Sequence, residues 1–432
     1  MLHQDAPLAR HAGAPRIVAL LTVFSFVSYL ERTNISVAAA FMMPELGLTQ
    51  IQMGQIFSSF LIGYTLFQIP AGILGDRFGP RVVLAVAGLV WAVTTALTGL
   101  LPGFVIPAAA GVYASLWIVR FLLGAGEAAT YPVAARAIAN WIPPMDRAFA
   151  NSVVIAGASL GSAVAGPLIS WLMVTFGWRT SFYVTAVIAL GIAALWWQYA
   201  TDYPPGSSAV SQATRSVGAE QRSATASARG ASWWPLLRNR DMLLLSASYF
   251  LASYVLYIFV FWLYLYLVDV RGFSVLRGGL FASLPWLVAT VLTPAGGAVA
   301  GWLSRRLGTA RGHRITAAAG LALSGIFLYL GATAPGAYLA IAALSLSIGF
   351  ETFTEGAFWS TATGIAGTHA GAAGGVLNTF GNLGGVVSTA LMPVLVHQFG
   401  WTIALSSGTV AIVIAALLWF MIRPDGGRLQ PA

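Results

Sequence analysis

Read for alternating apolar and polar positions, the chain shows neither the two-residue period of a half-buried strand nor the 3.6-residue period of a helix with one wet face. Instead, apolar runs of about twenty residues or more recur near 17–41, 52–75, 82–101, 112–139, 149–175, 179–200, 242–268, 276–303, 314–334, 337–366, 371–397 and 401–422. Each is long enough to cross a hydrocarbon layer about 30 Å thick. A helix also satisfies its own backbone hydrogen bonds, which lipid cannot do. The pattern therefore predicts twelve spanning helices, numbered 1 to 12 in that order, with a polar stretch between the sixth and the seventh. Strands of about ten residues with alternating polarity, the mark of a membrane barrel, are not visible in the sequence.

The expected organisation is an all-α membrane protein: a tail over 1–16, a six-helix bundle over 17–200, a linker over 201–240, a second six-helix bundle over 241–422 and a tail over 423–432. The linker is rich in Ser, Ala and Arg and reads as a flexible strap. The two bundles repeat each other. Gly72-Ile73-Leu74-Gly75-Asp76-Arg77-Phe78-Gly79 follows helix 2, and Gly301-Trp302-Leu303-Ser304-Arg305-Arg306-Leu307-Gly308 follows helix 8. Phe176-Gly177-Trp178 closes helix 5 as Phe399-Gly400-Trp401 closes helix 11, with Gly161 and Gly384 at matching positions inside those helices. Six-helix halves in like orientation form a parallel repeat, whose expected binding site is the cavity between them near the midplane.

Composition agrees with the pattern. Of 432 residues, 58% are hydrophobic and 8% charged, against about 25% charged in a soluble domain. The net charge of +9 would suggest an anionic polymer as partner in a soluble protein. Here all 22 basic residues are Arg, and their placement is a topology signal. Arg10, Arg16, Arg77, Arg81, Arg136, Arg147, the linker, Arg305, Arg306, Arg311, Arg314, Arg423 and Arg428 fall on one side, and only Arg179, Arg271 and Arg277 opposite. The positive-inside rule puts both termini in the cytoplasm and the protein in the inner membrane, with no nucleic acid as partner. Met1 to Ser28 imitates a signal peptide, but the apolar run continues through the cleavage-like Ala38 to Ala40, so it reads as an uncleaved first helix. Without Cys there are no disulfides and no thiolate chemistry. Gly157-Ala158-Ser159-Leu160-Gly161 fits a nucleophile elbow but lies inside an apolar helix, and His313, His369 and His397 lack the spacing of metal ligands. Neither an enzyme nor a metal site is expected. Asn34-Ile35-Ser36 is a glycosylation sequon only in letters, because it lies within helix 1.

Ionised side chains are costly at membrane depth and mark function by default. Six qualify: Glu31 and Arg32 in helix 1, Arg120 and Glu127 in helix 4, and Glu351 and Glu355 in helix 10. Arg120 and Glu127 are seven residues apart, so they share a face at about 10 Å along the axis. Arg120 offers a fixed charge and a fork suited to a carboxylate, whereas Glu127 can titrate. The competing reading is a permanent ion-pair network among helices 1 and 4. Glu351 and Glu355 are one turn apart, so at least one should hold a proton or pair with a cation, a substrate amine or an Arg. Tyr254, Tyr257, Phe261, Trp262, Tyr264 and Tyr266 crowd helix 7, with Trp286 in helix 8. Most are expected to face lipid or its interface, with one face left for the cavity. Asn378 and Asn382, one turn apart in helix 11, want hydrogen-bond partners. In the loop after helix 2, Gly72 should let helices approach, while Asp76, beside Arg77, Gly79 and Arg81, should make a contact that breaks during a conformational change.

That loop, G-x-x-x-D-R-x-G-x-R at Gly72, Asp76, Arg77, Gly79 and Arg81, resembles the signature of the major facilitator superfamily. Tyr29-Leu30-Glu31-Arg32-Thr33-Asn34, the stretch from Arg120 to Pro132, and Asn378-Thr379-Phe380-Gly381-Asn382 resemble its anion:cation symporter branch, which includes galactonate carriers, sialin and vesicular glutamate transporters. The resemblance implies proton-coupled symport of an organic anion such as a sugar acid, by alternating access, with no cofactor and as a monomer. It further implies that Arg32 and Arg120 recognise the anion, that Glu127 couples the proton and that Asn378 contacts substrate. Glu31 stands where galactonate carriers have Asp, and the helix 7 arginine of the vesicular glutamate transporters has no counterpart between Leu243 and Val268. An exchanger or exporter of the same fold, or a transport-inactive metabolite sensor, would also fit these residues.

Overall fold

The computed structural model describes residues 13–102, 109–143, 147–204, 234–366 and 370–423. Among them, eleven helices are long and apolar enough to cross a membrane. In chain order they are α1 (Ala14–Leu46), α2 (Gln50–Phe78), α3 (Pro80–Leu100), α4 (Gly111–Trp141), α5 (Ala150–Phe176), α6 (Trp178–Tyr199), α7 (Arg240–Val270), α8 (Val275–Leu307), α9 (Thr309–Thr333), α10 (Ala337–Ala366) and the long Ala373–Met421. The last bends at Gly400, whose φ is 80°, and so supplies two spans, α11 before the bend and α12 after it. Twelve spans result, as the hydrophobic pattern predicts. Residues 1–12 and 424–432 of the tails, 205–233 of the linker and His369 lie outside the described residues.

The internal repeat has a structural meaning. Gly79 and Gly308, which end α2 and α8, have φ of 84° and 86°; Gly177 and Gly400, which end α5 and α11, have 86° and 80°. A left-handed turn of this kind favours glycine, and each reverses the chain directly into the next span. The glycines inside α5 and α11 do a second job. A Cβ at Gly161 would stand 2.2 Å from the Phe26 carbonyl oxygen of α1, and one at Gly384 would stand 2.2 Å from the Phe250 carbonyl oxygen of α7. Each half thus packs its first helix against its fifth, backbone to backbone, as small residues permit in lipid.

Three spans break along their length, two of them beside proline. In α4 the helix Ala109–Glu127 stops and Thr130–Trp141 begins; Pro132 cannot donate to Ala128 and its ring clashes there. In α8 the break at Ser283 precedes Pro285. In α10 the helices Ala337–Thr352 and Glu355–Ala366 meet at Phe353 and Thr354, where a Cβ on Gly296 of α8 would stand 1.8 Å from the Phe353 carbonyl oxygen.

The halves touch at one end of the bundle. Ser58 of α2 bonds the Thr389 hydroxyl at 2.6 Å and the Val386 carbonyl at 2.9 Å on α11, and Ser283 of α8 donates to the Ala163 carbonyl of α5 at 2.5 Å. Phe57 of α2 stacks on Phe261 of α7 at 4.9 Å. Ser58 and Ser283 lie near the starts of α2 and α8, the end of the bundle opposite the one where α1 begins and α12 finishes. These contacts join the halves at the end away from the chain's described ends.

The expectation that most helix 7 aromatics face lipid is wrong. Tyr254, Tyr257, Phe261, Trp262, Tyr264 and Tyr266 are all buried inside the protein, as is Trp286. α7 is the most enclosed of the spans, packed on α11, α1 and α10. A helix that is apolar all round belongs in the interior, and its aromatics fill the space between the two halves.

Candidate functional site

Glu31, Glu127 and Glu351 each fall within about one residue of the centre of their spans, as the span limits show. α1 and α4 build the first cluster. Arg32 donates to Glu127 Oε2 from Nη2 at 2.8 Å and from Nε at 3.3 Å, and both residues are buried. Its guanidinium sits 4.6 Å from the Tyr29 ring centroid and 4.9 Å from those of Phe60 and Tyr64. Arg120 lies 5.2 Å from the Phe60 ring, fully buried, and none of its three side-chain nitrogens has a hydrogen-bond partner among the described residues. Both Glu31 oxygens and Glu127 Oε1 are likewise unpartnered, and Glu31 lies within electrostatic reach of Glu127 and Arg120.

The arrangement can hold an anion. One arginine is neutralised by a fixed carboxylate, while the other presents an unused fork of donors in a site closed to bulk water, where charge-assisted bonds are strong. Phe60 serves as a common wall, and α2 reaches it because Gly124, between Arg120 and Glu127, meets the backbone of α2. A Cβ there would stand 1.9 Å from the Phe60 carbonyl oxygen. Sequence reasoning missed α2 altogether, although Phe57, Phe60 and Tyr64 recur at helical spacing and offered a weak signal.

The second bundle contributes from α7, α10 and α11. Tyr257 donates to Asn382 Oδ1 at 2.9 Å, and Asn382 Nδ2 donates to the Asn378 carbonyl at 2.8 Å. Tyr257 also stacks on Phe261 at 6.1 Å, which stacks on Phe57 of α2 at 4.9 Å, so these contacts reach the helix whose Phe60 lies against Arg32 and Arg120. Glu355 accepts from the Tyr249 hydroxyl at 3.2 Å and from Trp359 Nε1 at 2.8 Å, whereas Glu351 Oε2 has no partner among the described residues. Thus eight of the nine predicted central residues are placed with defined surroundings, and Asn378 contributes its backbone carbonyl.

The loop after α2 is rearranged relative to expectation. A Cβ on Gly72 would meet only Pro132 Cβ, at 3.5 Å, an ordinary contact. The close approach falls one turn on, at Gly75, where a Cβ would stand 2.8 Å from Val133. Asp76 pairs with Arg136 of α4 at 3.6 Å, both half-exposed, and Arg77 lies over its neighbour Phe78. Arg81 donates to the Trp197 carbonyl from Nη2 at 2.8 Å and from Nε at 3.1 Å, while its backbone N–H donates to Asp202 Oδ1 at 2.8 Å. It therefore caps the C-terminal end of α6, a favourable place for a cation. Asp202 was not anticipated, and its carboxylate fills the space where a Cβ on Gly79 would lie. The sequon residue Asn34 is wholly buried, donating to Thr185 at 3.1 Å and accepting from Ser181 at 2.9 Å.

Twelve apolar spans in two like halves, with charged side chains gathered at the midplane between them, define a multi-pass membrane transport protein rather than an enzyme. Residues 21–389 match the family described as Major Facilitator Superfamily, and the chain belongs to it. It is 34% identical over 386 residues to a probable sulfoacetate transporter of Cupriavidus necator, covering 89% of this chain and 87% of the relative. It is 30% identical over 429 residues to a probable galactarate/D-glucarate transporter of Escherichia coli, covering 96% and 95%. With the hexuronate transporter of Bacillus subtilis the identity is 29% over 422 residues, covering 95% of each. Among solved structures, the fold is similar to a bacterial homologue of the lysosomal transporter Spinster, inward-facing and unoccupied, with TM-score 0.77, 17% identity and 98% and 99% of the two chains covered. It is also similar to a D-xylose-proton symporter, with TM-score 0.74, 16% identity and 97% and 100% covered.

Proposed function

We propose that this protein is a proton-coupled symporter of a small organic acid, lying in the inner membrane with both termini in the cytoplasm and working as a monomer. The observation that carries the reading is Arg120: a guanidinium at membrane depth, wholly buried, with every donor unused. A buried charge is stable only when paired, and the ligand that completes it is an anion. The relatives named for sulfoacetate, hexuronate and galactarate or glucarate support this substrate class, since each of those molecules carries an acid group.

Coupling follows from the ion pair beside it. When Glu127 takes a proton, Arg32 loses its counter-charge, and the incoming anion replaces it among Arg32, Arg120 and the Phe60 wall. Anion plus proton leave the net charge of the buried site unchanged, and the proton both removes the like charge of Glu127 that faces the anion and frees Arg32 to share it with Arg120. The two ligands are thereby linked without touching each other. With the halves joined at the end away from the termini, the structure represents the inward-facing state in this reading, and Asp76–Arg136 is one of the contacts that shift as the halves rock.

Uptake of candidate acids into proteoliposomes under an imposed pH gradient tests the proposal. Accumulation driven by an inward proton gradient is expected. Accumulation only in the presence of a counter-anion would make the protein an exchanger, and binding without any flux would make it a sensor.

A further inference from the structure

A buried guanidinium without a hydrogen-bond partner needs something else to hold it in place. Arg120 is wholly buried, and none of its three side-chain nitrogens has a partner among the described residues. Carboxylate oxygens stand unused in the same cluster: Glu127 Oε1 and both oxygens of Glu31. A flexible arginine is expected to fold onto such oxygens, because a charge-assisted pair is the strongest bond open to it. It does not do so, and the ion pair that forms in the cluster is Arg32–Glu127. What the Arg120 guanidinium lies over is the Phe60 ring, 5.2 Å from its centroid, inside the range of about 6 Å at which an aromatic face attracts a cation.

The ring itself is held firmly. Phe60 is wholly buried and stacks on Tyr64 at 6.2 Å. Its helix crosses α4 through a reciprocal pair of glycines. A Cβ at Gly63 would stand 2.2 Å from the Phe121 carbonyl oxygen, just as one at Gly124 would meet the Phe60 carbonyl oxygen. Phe121 follows Arg120 in the chain, so the crossing fixes the ring against the same turn of α4 that carries the arginine. Arg32 lies 4.9 Å from this ring too, but it also has the Tyr29 and Tyr64 rings and the Glu127 carboxylate. Of these supports Arg120 shares only Phe60, so a weaker ring face is felt by Arg120 first.

We propose that Phe60 is a positioning residue for the anion site: its π face holds the Arg120 guanidinium off Glu31 and Glu127, so that the donors stay free for the anion. The inference rests on the organic-acid reading and gives the ring an electrostatic role beyond that of a wall. When the ring's pull is weakened, Arg120 pairs with one of the unused carboxylate oxygens, and an incoming anion must break that pair before it binds. A ring that acted by shape alone would do the same work whatever the electron density on its face.

Fluorination separates the two, because each fluorine draws electron density from the ring face while nearly preserving its size. Phe60 is to be replaced in the full-length protein by phenylalanine carrying one, two or three ring fluorines. Affinities for sulfoacetate, glucuronate and glucarate are then read by quenching of tryptophan fluorescence, with the melting temperature of each variant reporting its fold. Affinity should fall stepwise with fluorine number, reaching about tenfold with three, against roughly thirtyfold for complete loss of a desolvated cation–π contact. The same series at Phe182 should leave affinity unchanged: that ring is wholly buried on α6, 6.0 Å from Trp178, with no guanidinium over it among the described residues. Affinity that does not vary with fluorine number in folded Phe60 variants, or an equal fall in the Phe182 series, would overturn the positioning role and leave the organic-acid reading standing. Failure of all three acids to bind the parent protein would overturn both.

Discussion

Replacing Glu127 by Gln removes the carboxylate charge and exchanges one oxygen for an amide NH2 at the centre of α4. In the structure Glu127 Oε2 is the sole hydrogen-bond acceptor recorded for the buried Arg32 guanidinium, at 2.8 and 3.3 Å. Stripping a partner from a buried ion pair commonly costs about 3–5 kcal/mol. Here the glutamine carbonyl can still accept from Arg32, and three aromatic rings lie within 5 Å of its guanidinium carbon. The loss should therefore be nearer the value of one charged hydrogen bond, about 1.5–3 kcal/mol, and the variant should fold. Function is expected to split. With Arg32 no longer neutralised, the anion still binds and still exchanges across the membrane, but no proton is needed to make room for it. One proton moving down a pH difference of one unit supplies about 1.36 kcal/mol, which supports about tenfold accumulation of a co-transported monoanion at zero membrane potential. In proteoliposomes clamped with valinomycin and potassium, the parent should approach that ratio, while Glu127→Gln should equilibrate substrate to a ratio of one and retain counterflow. A variant that still concentrates substrate about tenfold would refute the coupling role and move it to Glu31 or the α10 pair.

Other outcomes follow from the same geometry. Arg120→Lys keeps the charge but loses the fork, so substrate affinity should fall roughly tenfold or more, the equivalent of about 1.5–3 kcal/mol; unchanged binding in a titration would reject the contact. Asp76→Asn removes an exposed ion pair at 3.6 Å, worth at most about 1 kcal/mol. It should therefore shift the population of open states no more than about fivefold, read as alkylation rates of cysteines introduced on the terminal face, with identical rates ruling the gate out. Gly161→Ala and Gly384→Ala place a methyl 2.2 Å from a neighbouring backbone oxygen and should each lower yield and thermal stability in detergent. Gly191→Ala meets nothing within 4 Å and should be neutral or slightly stabilising, so similar melting temperatures for all three would undermine the packing account.

Much of the site was legible because charge in an apolar run cannot be accidental. Glu31, Arg32, Arg120, Glu127 and Glu351 stood out by depth alone, and all five are buried in the structure. Their pairing was not legible. Helical spacing put Arg120 and Glu127 on one face, yet the bond to Glu127 comes from Arg32 on another helix. Phe60 and Tyr64, which wall the cluster, gave only the weak signal of their helical spacing, because α2 comes against the cluster through the backbone contact at Gly124.

What the chain's order of residues determined is what depends on neighbours along it: the length of each apolar run, the glycines that let the chain reverse at 79, 177, 308 and 400, and the prolines beside the breaks in α4 and α8. Tertiary structure decided whatever depends on how a helix is rotated about its axis. A span that is apolar on every side has no preferred face that sequence can show, so the burial of the α7 aromatics, the partner of each charge and the half that faces the cavity emerged only when twelve such helices were packed together. In lipid the hydrophobic effect does not orient one apolar face over another, and close backbone approach, hydrogen bonds and buried charge make that choice.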